Sequence, residues 1–248
     1  MVHEAAATGY QRQSEAYQQA RPSYHPLVLS AVVAAIGAGP VIDLGAGTGI
    51  STAALVDLGL DVTAVEPVQA MRAALAKNAP GATVLDGTAE EIPVAENQAA
   101  AVVVAQAFHW FDHALALDEI VRVLEPQGYF VTLWNVRDES VPWMAAYTAI
   151  QDRVQGDTPR YRDMTWRTSI EADQRFELVS EVRQLNPHAS NADQTVARFL
   201  STSFIASLAP ERQQELADEV RRLVVELGPE YDFPYWTEAQ IWRLQPIS

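Results

Sequence analysis

The sequence predicts a doubly wound α/β fold, a parallel sheet with helices packed on both faces. Three observations predict it. Short apolar segments at 41–44, 62–65, 82–85, 101–105 and 129–134 alternate with amphipathic stretches of helical period. The segment 101–105 is hydrophobic throughout, as a parallel strand covered on both faces should be. A glycine-rich turn at 45–49 joins the first of these strands to the helix after it.

Composition sets the outer bounds. The 248 residues are 48% apolar and 20% charged, and mean hydropathy is near zero, so the chain can bury a core and still dissolve. The longest apolar run, 99–105, falls far short of the roughly 20 residues that span a bilayer. No basic segment precedes a hydrophobic block near Met1, so no signal peptide is expected and the expected location is cytoplasmic. Cysteine is absent, which excludes disulfides, Cys-zinc sites and a thiol nucleophile. Asp and Glu number 32 against 17 Lys and Arg, a formal charge of -15. Such a surface repels a phosphate backbone, so neither nucleic acid nor membrane is an expected partner.

In chain order, residues 9–20 are polar and Gln-rich, anchored by Tyr10 and Tyr17, and read as a short surface helix or mobile lid. Pro22 and Pro26 bracket a turn, and 27–36 reads as a helix stopped by Gly37. The strand 41–44 leads through the glycine turn into a helix ending near Leu58, with Gly59 as its stop. After the strand 62–65, Pro67 suits the first turn of a helix carrying Val68, Met71 and Leu75 on one face. The third strand, 82–85, ends at Asp86-Gly87. Asp112 suits the cap of a helix whose Leu117, Ile120, Val121 and Leu124 share a face, ended by Pro126 and Gly128 before the strand 129–134.

Beyond Trp134 the alternation stops. Trp143, Tyr147, Ile150 and Val154 mark a helix, 160–167 reads as an Arg-rich loop, and 182–187 as a weak strand. A helix follows at 210–227, and 233–244 has strand character. The expected organisation is an N-terminal helical cap, 1–37, and a domain at 38–248 in which 135–248 completes the sheet and covers its active edge.

Asp43-Leu44-Gly45-Ala46-Gly47-Thr48-Gly49 lies where a strand feeds a helix. Glycines there let a ligand approach the backbone, and a helix N-terminus offers N–H groups. Ligands of open α/β sheets lie outside the carboxyl ends of the strands. A dinucleotide fingerprint requires its third glycine at position 50, which is Ile50. A nicotinamide-dependent oxidoreductase is therefore less favoured. Glu66 closes the second strand, where a carboxylate can accept two ribose hydroxyls in either cofactor class.

The turn resembles motif I of the class I S-adenosylmethionine-dependent methyltransferases, D-x-G-x-G-x-G, and matches it at Asp43, Gly45, Gly47 and Gly49. Asp86-Gly87-Thr88-Ala89-Glu90 resembles that family's adenine loop. The run from Ala105 through Gln106, Ala107, Phe108, His109, Trp110 and Phe111 to Asp112 resembles A-x-A-F-H-W-F-D, found in a branch that includes trans-aconitate methyltransferase-like small-molecule enzymes. Leu124-Glu125-Pro126-Gln127-Gly128 is similar to that branch's L-x-P-x-G turn, and Tyr17, Arg21-Pro22, Tyr24 and 134–138 are similar to its flanking segments.

The resemblance implies a Rossmann-like, mostly parallel seven-stranded sheet with an antiparallel strand near the C-terminus, which 233–244 suits. It implies S-adenosylmethionine as cofactor, a small-molecule acceptor, and S-adenosylhomocysteine as product. The cofactor contacts it implies are Arg21, Asp43, Gly45, Ala46, Gly47, Thr48, Gly49, Glu66, Pro67 and Met71. Gly87, Thr88, Ala89, Glu90, Gln106, Ala107 and Phe108 complete that set. The acid at Asp43 is expected to hold the loop and the cofactor's amino group.

Displacement at a sulfonium methyl needs no protein nucleophile; the protein supplies orientation and a dry site. An oxygen or nitrogen acceptor can also need its proton removed, for which His109, at the end of the fourth strand, is a candidate base or substrate contact. A packed structural imidazole is the alternative. Trp110, Trp143 and Tyr147 are candidate substrate contacts, with Trp166 and Phe204 as further aromatic candidates for a roof. Arg21 suits a bidentate pair with the cofactor's carboxylate. The order His109-x-x-Asp112-His113 imitates a zinc-peptidase motif, but Asp replaces Glu and no third ligand is evident, so no metal is expected. A catalytically silent cofactor-binding module is the other reading.

Overall fold

The computed structural model describes residues 22–246; the expected lid at 9–20 and Arg21 lie outside them. Helix α1 (Pro26–Ile36) starts with proline at its first position, where no N–H is missed, and stops at Gly37. Its Val28, Leu29, Val32 and Ile36 are buried against the sheet, so this helix forms part of the sheet's covering layer.

Five elements follow in strict alternation: β1 (Pro40–Leu44), α2 (Ile50–Asp57), β2 (Asp61–Val65), α3 (Gln69–Asn78) and β3 (Thr83–Leu85). Helix α3 begins after its cap Val68, which leaves Pro67 outside the helix rather than in its first turn. The fourth strand, β4 (Ala99–Ala105), leads through a 3-10 turn, Phe108–Trp110, to α4 (His113–Val123). The Asp112 carboxylate accepts the Leu115 N–H at 3.3 Å, as a cap should.

Strand β5 (Leu124–Arg137) begins at the residue the sequence assigned to the preceding helix. Leu124 pairs with Ala99, but the next pair is Tyr129 with Ala101, so the turn carrying Pro126 and Gly128 stands out between them. A proline with no N–H to give is tolerated in such a bulge.

The second half contains α5 (Pro142–Asp152), a 3-10 turn at Tyr161–Asp163, α6 (Thr165–Ala172), β6 (Phe176–Leu185) and β7 (His188–Ser190). It ends with α7 (Ala192–Leu200), α8 (Ser203–Ala206), α9 (Pro210–Val224), β8 (Tyr231–Phe233) and β9 (Tyr235–Leu244). The expected Arg-rich loop is thus two short helical pieces. Asp163 accepts the Arg160 N–H at 2.8 Å, and Trp166 is driven into the core. Strand β6 is longer and starts earlier than the sequence indicated, because its outward positions are polar and mask the strand.

The sheet order is β3-β2-β1-β4-β5-β9-β6. All its pairings are parallel except those of β9, which runs antiparallel to both β5 and β6. The seven strands and the late antiparallel strand agree with the expected fold. Alternate residues feed opposite layers, as a pleat of period two requires. Ile42, Leu44, Val102, Val104, Phe130 and Trp134 face one core cluster, and Val41, Ala101, Val103, Val131 and Leu133 the other. A third cluster, with Met144, Tyr147, Phe199 and Phe233, packs α5, α7 and β8 together. The strand order reverses between β1 and β4, which places a ligand crevice at their carboxyl ends.

Candidate functional site

Asp43 lies within the last turn-ward residues of β1 and is fully buried. Ser51 and Thr52, in the first turn of α2, donate their hydroxyls to its Oδ2 at 2.8 and 2.6 Å. This carboxylate therefore ties strand to helix across the glycine turn. Burial pushes its pKa up to about 6, against the two hydroxyls that lower it. Its Oδ1 and the Thr48 hydroxyl are buried with no partner among the described residues. Two polar atoms left over in one turn fit a site for a polar ligand.

The turn's backbone is organised by β2. The N–H groups of Gly45 and Ala46 donate to the Val65 carbonyl at 2.9 and 3.2 Å, Gly47 donates to Glu66 Oε2 at 2.9 Å, and Gly49 to the Ala46 carbonyl at 3.0 Å. These four amides are held inside the protein, contrary to the expectation of open donors. A pyrophosphate needs such donors free, so the geometry disfavours a dinucleotide. At Gly47, with φ +58°, a Cβ would meet nothing nearer than Met71 Sδ at 3.9 Å, which leaves a shallow cradle over the backbone. At Gly49, φ +88° and the approach of Leu75, 3.1–3.3 Å from a built Cβ, would strain any side chain.

Glu66 is buried, and each carboxylate oxygen already accepts one backbone N–H, Oε2 from Gly47 and Oε1 from Val68, both at 2.9 Å. Burial raises its pKa, with those two amides opposing the rise. Each oxygen retains a lone pair for a further donor. Arg72 ties this region to the loop after β3, donating to the Glu66 and Pro67 carbonyls and pairing with Asp86 at 2.8 Å. In that loop Thr88 bridges to Glu91, and Glu90 accepts the Asp112 N–H at 3.1 Å. Ala89 is turned into the core, so only its backbone is available to a ligand, and Gly87 is close to Pro93.

At the end of β4, Gln106 holds φ +58°, a left-handed value costing a side-chain-bearing residue about 1–2 kcal/mol. Its N–H donates to the Leu133 carbonyl and its Nε2 to the Asn135 carbonyl. The chain is thereby turned outward, and the next residues divide. Ala107 packs against the core, and Phe108 is completely buried, 5.0 Å from the His113 ring and 5.3 Å from Phe130. The Phe108 ring, expected among the cofactor contacts, is instead a core residue. His109 and Trp110, with ring centroids 4.9 Å apart, instead face a cavity of about 220 Å³.

That cavity lies at the carboxyl ends of β4 and β5 and is lined by Gln106, Asn135, Phe204 and Tyr235 besides these two rings. Trp143 and Tyr147 lie elsewhere, in the third core cluster, where they meet Phe233 edge-on at 5.4 Å. Tyr147 and Trp166 are fully buried. Aromatic residues at helical spacing served packing here: Trp143, Tyr147 and Trp166 belong to the core clusters, and of the expected roof residues Phe204 lines the cavity.

Sequence reasoning missed the cavity's charged lining: Arg137, Arg160, Arg162 and Arg198, with Tyr161 among them. Tyr161 donates its hydroxyl to the Glu238 carboxylate, and burial and that carboxylate raise its pKa. The one legible signal was the density of arginine at 160–167. The root of the N-terminal segment is also fixed here. Asn135 Nδ2 donates to the Pro22 and Ser23 carbonyls at 3.1 and 3.2 Å, and Asn186 to Ser23 at 2.8 Å. Tyr24, within the expected N-terminal cap 1–37, is buried in the core. Among the described residues no group of three or more His, Cys, Asp or Glu could hold a metal ion.

Residues 42–132 match the family described as "Methyltransferase domain". The chain is 39% identical over 209 residues to an uncharacterized methyltransferase of Mycobacterium tuberculosis, covering 84% of this chain and 82% of that protein. A demethylmenaquinone methyltransferase of Beutenbergia cavernae is 34% identical over 124 residues, 48% of this chain and 50% of that protein. Among solved structures, the YcgJ protein of Bacillus subtilis superposes with a TM-score of 0.56 at 17% identity, over 90% of this chain and 100% of that one. A geranyl diphosphate C-methyltransferase of Streptomyces coelicolor gives 0.50 at 14% identity, over 87% and 74%. At those identities the two structures are evidence of shared fold.

Proposed function

The chain belongs to the S-adenosylmethionine-dependent methyltransferase family, and from that premise we propose that it methylates a small-molecule acceptor held in the cavity beside His109 and Trp110. The observation that carries this is the cavity itself. Its volume of about 220 Å³ suits a metabolite-sized molecule and not a folded partner. One of its walls, at Gln106, follows the end of β4, the strand paired with β1, whose own end carries the glycine turn.

When bound, S-adenosylmethionine supplies a methyl group activated by its positive sulfur. This chain's residues do the rest. The cradle over Gly47, with Ala46 and Thr48 beside it and Met71 behind, receives the cofactor's amino-acid portion, and the spare lone pairs of Glu66 take the ribose hydroxyls. The backbone of Gly87, Thr88 and Ala89 meets the adenine, and Arg21 takes the carboxylate from the N-terminal segment. His109 contacts the acceptor or removes its proton, while Trp110 and Phe204 shield it from water. A free metabolite acceptor agrees with a cytoplasmic location, and among the described residues no helix is long and apolar enough to cross a membrane.

The test is methyl transfer from labelled S-adenosylmethionine into a metabolite extract, with products resolved by mass. Label in a product of metabolite size supports the reading. Label entering only protein, or no transfer despite tight binding of S-adenosylhomocysteine, contradicts it.

A further inference from the structure

The cavity's charge is opposite to that of the protein around it. In a chain of formal charge -15, four arginines among the described residues line this cavity, against one lining carboxylate among them, Glu139. A concave site with one sign of charge concentrates ions of the other sign.

These arginines are not equivalent. Arg160 and Arg162 share one acid, donating to the two oxygens of Asp152 at 2.6 and 2.7 Å. Glu139 lies 3.5 Å from Arg162. Arg137 has neither an ion pair nor a hydrogen bond among the described residues. Its guanidinium lies 5.1 Å from the centre of the buried Tyr147 ring. A cation held over an aromatic face is fixed in position, and its in-plane N–H donors are left for another partner. Burial, then the nearby charge of Arg137, holds the Arg160 guanidinium below its ordinary pKa, and the Asp152 carboxylate opposes that. Guanidinium groups are thus brought together at an electrostatic cost, in a place where a bound anion would remove it.

We infer that the acceptor is an organic anion, bearing a carboxylate or a phosphate, and that Arg137 anchors that group; the inference rests on the small-molecule reading above. Arg160, oriented by Asp152, supplies the second guanidinium. The arrangement gives the buried Tyr147, itself not a lining residue, a part in the cavity: from the third core cluster it positions Arg137.

The experiment is calorimetric titration of the full chain with succinate, glycerol 3-phosphate and the neutral control succinamide, with and without S-adenosylhomocysteine. At least one anion is expected to bind about tenfold or more tightly than succinamide. Arg137→Gln should weaken that binding about tenfold, leave the affinity for S-adenosylhomocysteine within about twofold, and be partly rescued by Arg137→Lys. Preference between succinate and glycerol 3-phosphate identifies the anionic group. Neither anion binding better than succinamide overturns the inference, as does anion binding that Arg137→Gln leaves unchanged. If S-adenosylhomocysteine does not bind, methyl transfer falls while the anion titrations still decide this inference.

Discussion

The two halves of this sheet build their sites from different material. The half that ends at Trp134 shapes its crevice from backbone: a glycine turn whose amides are tied to Val65 and Glu66, with two buried acids as fasteners. The half that begins at Asn135 supplies most of a cavity's lining, with long side chains. It holds 12 of the chain's 17 basic residues, counted along the sequence. A backbone site depends on conformation and tolerates few substitutions in the turn. A side-chain site can be re-specified one residue at a time without disturbing the sheet. The division suits an enzyme with a fixed cofactor and an acceptor of its own.

Core and cavity part most visibly at Phe108, where the first half meets the side-chain-built cavity. Phe108→Ala removes a completely buried ring and should cost about 3–5 kcal/mol, read by denaturant unfolding. Trp110→Ala, two residues on and facing the cavity, should lose far less stability and instead raise the KM for the acceptor. Equal destabilisation by both would erase the distinction drawn between core and cavity in this segment.

Asp43 tests the fastener directly. Its folded pKa of about 6 lies above the ordinary 3.8, so the folded state holds the proton more tightly than the unfolded one. The stability it contributes is present below pH 4 and is lost as pH rises through about 6. The loss is roughly 3 kcal/mol. Melting temperatures of wild type and Asp43→Asn, compared from pH 4 to pH 7, should show the wild type losing ground as pH rises. A constant difference across that range would mean that Asp43 is ionised without penalty.

Glu66→Gln should weaken binding of S-adenosylhomocysteine by about 1.5–3 kcal/mol, since charge-assisted bonds to the ribose are lost. The structure adds a second effect. The glutamine amide would turn an N–H toward the Gly47 or Val68 N–H, so the melting temperature should fall as well. Unchanged cofactor affinity with a lowered melting temperature would restrict Glu66 to holding the turn.

The smallest effect belongs to Asn135→Ala, which cuts the bonds to Pro22 and Ser23 and those received from Thr237 and Asn186. The cost should be about 1 kcal/mol, because Asn186 and Thr237 still hold Ser23 and His25. Faster hydrogen exchange confined to 23–25 would confirm that Asn135 anchors the root of the N-terminal segment.

The first half was legible because its chemistry is written in local spacing. Asp43, Gly45, Gly47, Gly49 and Glu66 stand where a strand meets a turn, and the fold brings them together without help from distant residues. The second half was opaque for the opposite reason. Arg137, Tyr161, Arg198 and Tyr235 converge from a strand end, a 3-10 turn, a helix and a late antiparallel strand, and no spacing along the chain announces that meeting. Trp143 and Tyr147 misled because a helical stripe of aromatic residues has the same pattern whether it faces core or ligand. Strand β6 was short-changed because Glu177, Glu181 and Arg183 interrupt its apolar positions, a pattern natural to an edge strand.

Hydrogen exchange with and without S-adenosylhomocysteine tests the division of labour most directly. Added ligand should slow exchange at 43–49, 66–71 and 86–90, where the turn, Glu66 and the loop after β3 converge, and leave 153–163 at its unliganded rate. Protection confined to 153–163, or none at the glycine turn, would contradict the placement of the cofactor in the backbone-built half.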